Sequence, residues 1–233
     1  MKRLTILSAI VPVITAVTLT LTGCRSEGGP WEENVLTYDI VRLASQDNTS
    51  GTTFTLTLPD ADQLITYRVD HPTIDPNKVN IGERLMLAYR LSGNRAPYTS
   101  GAIIPVGYST IINADLLETE NMEEEYPDFD RDPIYLLSMW RSETCINLHF
   151  RAAYSEKPRT FALVMEAGEA DAEMPSLTVA HTLAEGENPD NFMRESYASF
   201  DIAEVWERAT CRGVTVTINN SNLPQRTFTF MKP

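Results

Sequence analysis

Residues 52–58, TTFTLTL, alternate strictly: Phe54, Leu56 and Leu58 fall on one side of an extended chain and Thr53, Thr55 and Thr57 on the other. This period of two, repeated in short runs along the chain, is the tightest constraint on the fold, because a half-buried strand is what gives each face one chemistry. Residues 84–91 (RLMLAYRL) align Leu85, Leu87, Tyr89 and Leu91 in the same way, and less regular runs occupy 37–44, 64–69 and 102–112. Turn residues separate them at Ser50-Gly51, Asp60-Ala61-Asp62, the Pro72/Pro76 loop and Ser92-Gly93-Asn94, and no long helical pattern intervenes. Five strands therefore predict an antiparallel barrel or small sandwich over residues 36–114. Seven further runs, at 134–140, 145–150, 160–165, 177–183, 197–200, 213–218 and 225–231, predict an antiparallel β-sandwich over residues 133–233. The chain reads as all-β. One helical turn interrupts the second half: Asp201 can cap it, Glu204 three residues later can reach back, and Val205 with Ile202 gives i, i+3 spacing, so the turn is expected to plug one end of the sandwich.

For the first half, the five-stranded oligonucleotide/oligosaccharide-binding (OB) barrel is one candidate. Apolar residues make up 42% of the 233 and charged residues 22%, enough to bury a sizeable core and to exclude wholesale disorder. The charge is unevenly spread. Residues 36–113 hold six basic and seven acidic groups, whereas residues 114–233 hold ten basic and 22 acidic ones. Much of that acidity sits in 118–132 (ETENMEEEYPDFDRD), and such a run reads as a solvated, self-repelling linker. The domain boundary is therefore expected within an acidic linker at 115–132.

The chain opens with Lys2 and Arg3, then an uncharged apolar stretch ending at Leu21-Thr22-Gly23-Cys24. Residues 1–23 read as a secretory signal. The four closing residues resemble the lipobox of bacterial lipoproteins, which implies lipidation of Cys24 and cleavage just before it. Each buried CH₂ contributes about 0.8 kcal/mol, so two or three acyl chains give stable anchoring. A simple transmembrane anchor fits less well, because Pro12 and four threonines interrupt the apolar run. Residues 24–35 then form a flexible tether, polar and rich in Gly and Pro. The mature chain carries 17 basic against 32 acidic groups, a net −15. Such a balance argues against nucleic acid as a partner. Residue 25 is Arg rather than Asp, which by the same resemblance favours the outer membrane, on a face left open.

Candidate chemistry is sparse. Asp128, Asp130 and Asp132 have D-x-D-x-D spacing, but Pro133 and Met139 stand where a Ca²⁺ loop needs Gly and Glu. His71, His149 and His181 lie at no metal-ligand spacing. His181 shares parity with Leu177, Val179 and Leu183 and reads as a hydrogen-bonded core histidine. His149 lies opposite Ile146, Leu148 and Phe150 and so points outward. Trp140 and Trp206 read as core residues, with sugar stacking the alternative. No G-x-S-x-G or comparable nucleophile context appears, so no enzyme, metal or cofactor is expected. Cys145 and Cys211 form a candidate disulfide pair in a compartment that permits one. Parity puts both on outer faces, so a bridge requires their strands to be neighbours.

The second half resembles the NigD-like lipoproteins of Gram-negative anaerobes. The resemblance rests on Trp140 with Cys145-Ile146-Asn147-Leu148-His149-Phe150, the strand at 177–181, and Ser196-Tyr197-Ala198-Ser199-Phe200-Asp201-Ile202. In the first half, Gly82-Glu83-Arg84-Leu85-Met86-Leu87 looks like the lead into the fourth barrel strand. The resemblance implies an N-terminal OB-type domain followed by a β-sandwich, with the acidic insert at 118–132 as its main departure. It brings no active site to carry over, and the family's name implies a bacteriocin-immunity role. The expected function is a non-catalytic, lipid-anchored envelope protein that meets the membrane through Cys24 and binds an unknown protein or peptide. The alternative is a glycan-binding accessory lipoprotein.

Overall fold

A computed structural model describes residues 35–59, 63–93, 95–157, 159–188 and 192–232. The signal segment, Cys24 and nearly all of the tether lie outside these residues. The first five strands are β1 (Thr37–Asp47), β2 (Gly51–Thr57), β3 (Leu64–Val69), β4 (Arg84–Leu91) and β5 (Gly101–Thr110). They close into a barrel in the order β1-β2-β3-β5-β4, with β3 and β5 parallel and the other neighbours antiparallel. Closure removes the exposed edges that an open five-stranded sheet would carry. The alternation read from the sequence points inward as expected: Val41, Leu43, Phe54, Leu56, Ile65, Tyr67, Leu85, Leu87 and Tyr89 form one buried cluster.

Nine strands follow among the described residues. They are β6 (Ile112–Asp115), β7 (Leu117–Thr119), β8 (Tyr135–Ser142), β9 (Cys145–Ala153), β10 (Thr160–Glu166), β11 (Ser176–Thr182), β12 (Met193–Asp201), β13 (Gly213–Ile218) and β14 (Thr227–Met231). Two sheets result, one ordered β14-β13-β11-β10-β7 and the other β6-β12-β9-β8. Their inner faces share a core of Ile146, Leu148, Phe150, Leu163, Met165, Leu177, Val179, Ala198, Phe200, Val214 and Val216. The sandwich is mixed rather than purely antiparallel: β7 runs parallel to β10, β11 to β13, and β6 to β12.

The acidic segment 115–132 is not a solvated linker. It supplies a full strand, β7, and the last residue of β6, and its helix α1 (Met122–Glu125) is capped by the Asn121 side chain. Met122, Tyr126 and Phe129, spaced i, i+4, i+7, pack on the outer face of the five-stranded sheet against Ala162, Val164 and Ala180. Thr182 Oγ1 donates to the Asp128 carbonyl at 2.6 Å, and the buried Asp132 carboxylate accepts from Leu183 N at 2.8 Å. The sandwich accordingly begins at β6, upstream of the expected boundary, because apolar spacing hidden among the carboxylates binds the segment to the sheet.

The plug forms as α2 (Ala203–Trp206), with Ile202, Val205 and Trp206 all in the sandwich core. Its N-cap is Ile202 rather than Asp201, although the Asp201 carboxylate still accepts from Ala203 N at 2.9 Å. Glu204 does not reach back; it faces Arg208 at 3.9 Å.

Candidate functional site

The barrel lies with one outer wall against the polar face of the four-stranded sheet. Outward positions on β1, β2 and β4 supply Ile40, Arg42, Thr57, Arg84 and Met86, and the sheet answers with Ser142, Glu143, Cys145 and Asn147. Arg84, only 5% exposed, donates to Ser142 Oγ at 2.7 Å, to Asn147 Oδ1 at 3.2 Å and to Glu143 Oε2 at 3.1 Å. Arg42 reaches the same Glu143 oxygen at 3.1 Å, and Thr57 Oγ1 donates to its other oxygen at 2.6 Å. Burial alone would raise the Glu143 carboxyl, but the Thr57 hydroxyl and the Arg84 and Arg42 charges hold it below the usual carboxylate range. This carboxylate, in the tight turn between β8 and β9 with φ 52°, is the clamp between the two halves.

The same contact accounts for the burial of Cys145. Parity places Cys145 on the outer face as expected, yet the barrel covers that face and the thiol is buried. Burial pushes its pKa up. Cys211 follows α2 and turns into the sandwich core, its thiol near the Gly213 carbonyl at 3.3 Å. Both cysteines are free, so the candidate pairing is not made.

At one side of the seam the two halves diverge into a cleft of about 260 Å³. Four aromatic residues line it: Tyr38 and Tyr98 from the barrel, Trp140 and Tyr197 from the sheet. Tyr38 is 62% exposed and Tyr98 42%. Trp140, expected in the core, is half-buried at this cleft instead, because its strand position falls on the face the barrel only partly covers. Trp206 is buried, with the Arg141 guanidinium 4.7 Å from its ring centroid. The polar lining is Asp39, Thr57 and Ser142.

Asp39 is the distinctive group. Tyr89, buried in the barrel, donates its hydroxyl to Asp39 Oδ2 at 2.7 Å and lies 3.0 Å from the Tyr67 hydroxyl. Burial raises the Asp39 carboxyl, an effect the Tyr89 hydrogen bond only partly offsets. Its charge and then burial raise the Tyr98 phenol in turn. Next to the cleft, Tyr197 stacks on His149 at 4.1 Å between centroids, and His149 Nε2 meets Glu195 at 2.7 Å, so His149 points outward as its parity requires.

The remaining candidates are scattered. Nδ1 of the buried His181 donates to the Asp132 carbonyl at 2.6 Å, matching the core reading, and burial lowers its pKa. Arg131 pairs with both Asp128, at 3.3 Å, and the buried Asp132, at 3.1 Å, so a guanidinium occupies the place between these two carboxylates. Among the described residues no group of three or more metal-ligating side chains occurs. The cleft residues Tyr38, Asp39 and Tyr98 were missed by sequence reasoning. Tyr38 is a bulky aromatic on the outward phase of a barrel strand, which is a signal of surface function, but nothing local marks Asp39.

No protein-family model and no curated relative matches the sequence. Solved structures do. A protein of unknown function from Bacteroides vulgatus aligns with TM-score 0.63 at 15% identity, over 85% of this chain and 92% of its own. A candidate lipoprotein from Bacteroides fragilis aligns with TM-score 0.52 at 14% identity, over 85% of this chain and 96% of its own. A NigD-like immunity protein from Bacteroides caccae aligns with TM-score 0.55 at 13% identity, over 85% of this chain and 93% of its own, and with it this chain shares the barrel-plus-sandwich fold that the residue-level resemblance implied.

Proposed function

We propose that the chain is a non-catalytic, lipid-anchored protein of a Gram-negative envelope, held at the outer membrane through Cys24, that binds a protein or peptide partner in the aromatic cleft in the manner of a bacteriocin-immunity protein. The observation that carries this reading is Asp39, a carboxylate kept in a partly desolvated position beside the Tyr89 hydroxyl, in a cleft with exposed Tyr38 and Tyr98. Tyrosine and tryptophan bring large contact areas at low entropic cost and dominate binding energy at interfaces. The carboxylate selects for hydrogen-bond donors, and the net charge of −15 on the mature chain steers basic partners toward the surface. The fold shared with a NigD-like immunity protein and a candidate lipoprotein supports the immunity and envelope parts of the reading.

Glycan binding is the second reading, favoured by the same exposed aromatic pair flanked by Asp39, Thr57 and Ser142, since sugar rings stack on such faces while their hydroxyls bond the carboxylate. Calorimetric titration of the mature protein with cationic peptides and with neutral oligosaccharides separates the two. Binding of a peptide that weakens about tenfold in Asp39→Asn and in Tyr98→Ala, the scale of one lost charge-assisted contact, supports the first reading. Oligosaccharide binding with the same sensitivity supports the second, and binding of neither class at the cleft overturns both.

A further inference from the structure

The open end of the sandwich breaks the pattern of its core. On β12, Arg194 pairs with Ala152 and Ser196 with Phe150, so both share the face on which Ala198 and Phe200 enter the core. On the opposing sheet Arg159 stands just ahead of β10, two residues before Phe161 and in phase with Leu163 and Met165. Two arginines thus stand in core phase on facing sheets, where the period of two calls for apolar side chains, Arg159 half-buried and Arg194 exposed at the rim. They line a cavity of about 160 Å³ with Ile112, Phe150, Ala152 and Phe161. The Phe150 and Phe161 rings stack at 4.8 Å, giving it an aromatic wall.

Neither arginine has a carboxylate partner among the described residues. The charge of Glu187 acts on Arg159, but Glu187 is engaged by Lys157 at 3.6 Å. Burial and then the Arg194 charge lower the Arg159 pKa, as expected of like charges held together in a partly desolvated place. In a chain with 32 acidic residues, two arginines lining one cavity with no ion pair of their own among the described residues are an unfavourable arrangement that a bound anion would relieve.

We infer that this socket binds a carboxylate carried on a compact apolar body, with Arg159 and Arg194 on the carboxylate and Phe150, Phe161 and Ala152 around the body. Planar guanidinium forks match carboxylate geometry, and the aromatic wall rewards an apolar body over a bare inorganic anion. The cavity is smaller than the roughly 300–1,000 Å³ that hold drug-sized ligands, so the body has about the size of one amino-acid side chain. Two sources carry this chemistry: a free aryl- or branched-alkyl carboxylic acid, and the C-terminal residue of a polypeptide. The socket shares no residue with the aromatic cleft and stands independently of the function proposed there.

The test is calorimetric titration of the mature lipoprotein in non-ionic detergent with 3-phenylpropionate, its primary amide, and an acetylated tripeptide ending in Phe with a free or an amidated C-terminus. The acid or the free-carboxyl peptide is expected to bind at least about tenfold more tightly than its amide, and to lose at least about tenfold in Arg194→Gln and in Arg159→Gln. Tighter binding of the peptide assigns the socket to polypeptide C-termini, and tighter binding of the free acid assigns it to small acids. Arg194 is exposed, so Arg194→Gln keeps the fold and the outcome stays readable if Arg159→Gln does not. Equal binding of acid and amide, no binding of any probe, or affinity untouched in Arg194→Gln overturns the inference.

Discussion

Burial raises the Asp39 carboxyl above its ordinary range, and the hydroxyl of Tyr89 offsets only part of that. A carboxyl whose pKa is higher in the folded than in the unfolded state contributes stability that is complete below the unfolded value and is lost as pH rises through the folded one. At pH 7 the charged Asp39 is therefore a net burden on the fold. Asp39→Asn, which can still accept from Tyr89, is expected to raise the thermal midpoint at pH 7, with the advantage shrinking as pH falls through the carboxylate range. Melting curves at pH 7 and pH 4 check this, and a variant less stable at pH 7 contradicts it. A residue kept against the interest of stability, in a cleft lined by exposed aromatic rings, is what a ligand-binding role predicts. Its chemistry was not legible in the sequence, because Asp39 lies in phase with Val41 and Leu43 of the barrel core, and its place in the lining of the cleft depends on residues distant in sequence.

At the scale of elements, strict alternation located β2 and β4 to within a residue, and the less regular run at 64–69 matches β3, since the apolar phase of each strand turns into the barrel. The elements it missed are those whose register is set from elsewhere: β6 and β7 are short and acidic and exist because they pair with β12 and β10. One local signal was available for α1, the spacing of Met122, Tyr126 and Phe129 within the carboxylates. Turns hold elements in register as firmly as strands do. Gly51 opens β2 with φ 77°, directly after a turn in which Asp47 accepts from Thr49 N at 2.7 Å and Ser50 N at 2.6 Å. A Cβ there would collide with the Val69 carbonyl of the neighbouring strand. Gly51→Ala is expected to lose about 2–4 kcal/mol, combining a left-handed backbone penalty with overpacking. Urea denaturation measures it, and a loss below about 0.5 kcal/mol would show that the barrel yields at this corner.

Across the seam of the two halves a single carboxylate, Glu143, is shared by Arg42, Arg84 and Thr57. Its folded pKa is depressed, so its contribution is present above the unfolded carboxyl value and is lost as pH falls through the folded one. Glu143→Gln leaves the buried Arg84 charge uncompensated; with the carboxylate itself part-exposed, the expected loss is about 2 kcal/mol rather than the full cost of a deeply buried pair. Calorimetry at neutral pH should show a lower and broader transition in the variant, while acid erodes the wild type toward it. An unchanged transition would mean that packing of Ile40 and Met86 suffices to hold the seam. From its own residues the chain determined the strands, their inward faces and the outward phase of Cys145, His149 and Arg84, because alternation is a local property of an extended backbone. Whether an outward face meets water or another layer was decided only in three dimensions: the barrel covers Cys145 and Asn147, leaves Trp140 and Tyr197 at a cleft, and gives Arg84 a partner 59 residues away. Burial of that kind depends on contacts between distant segments, and no period within a strand encodes it.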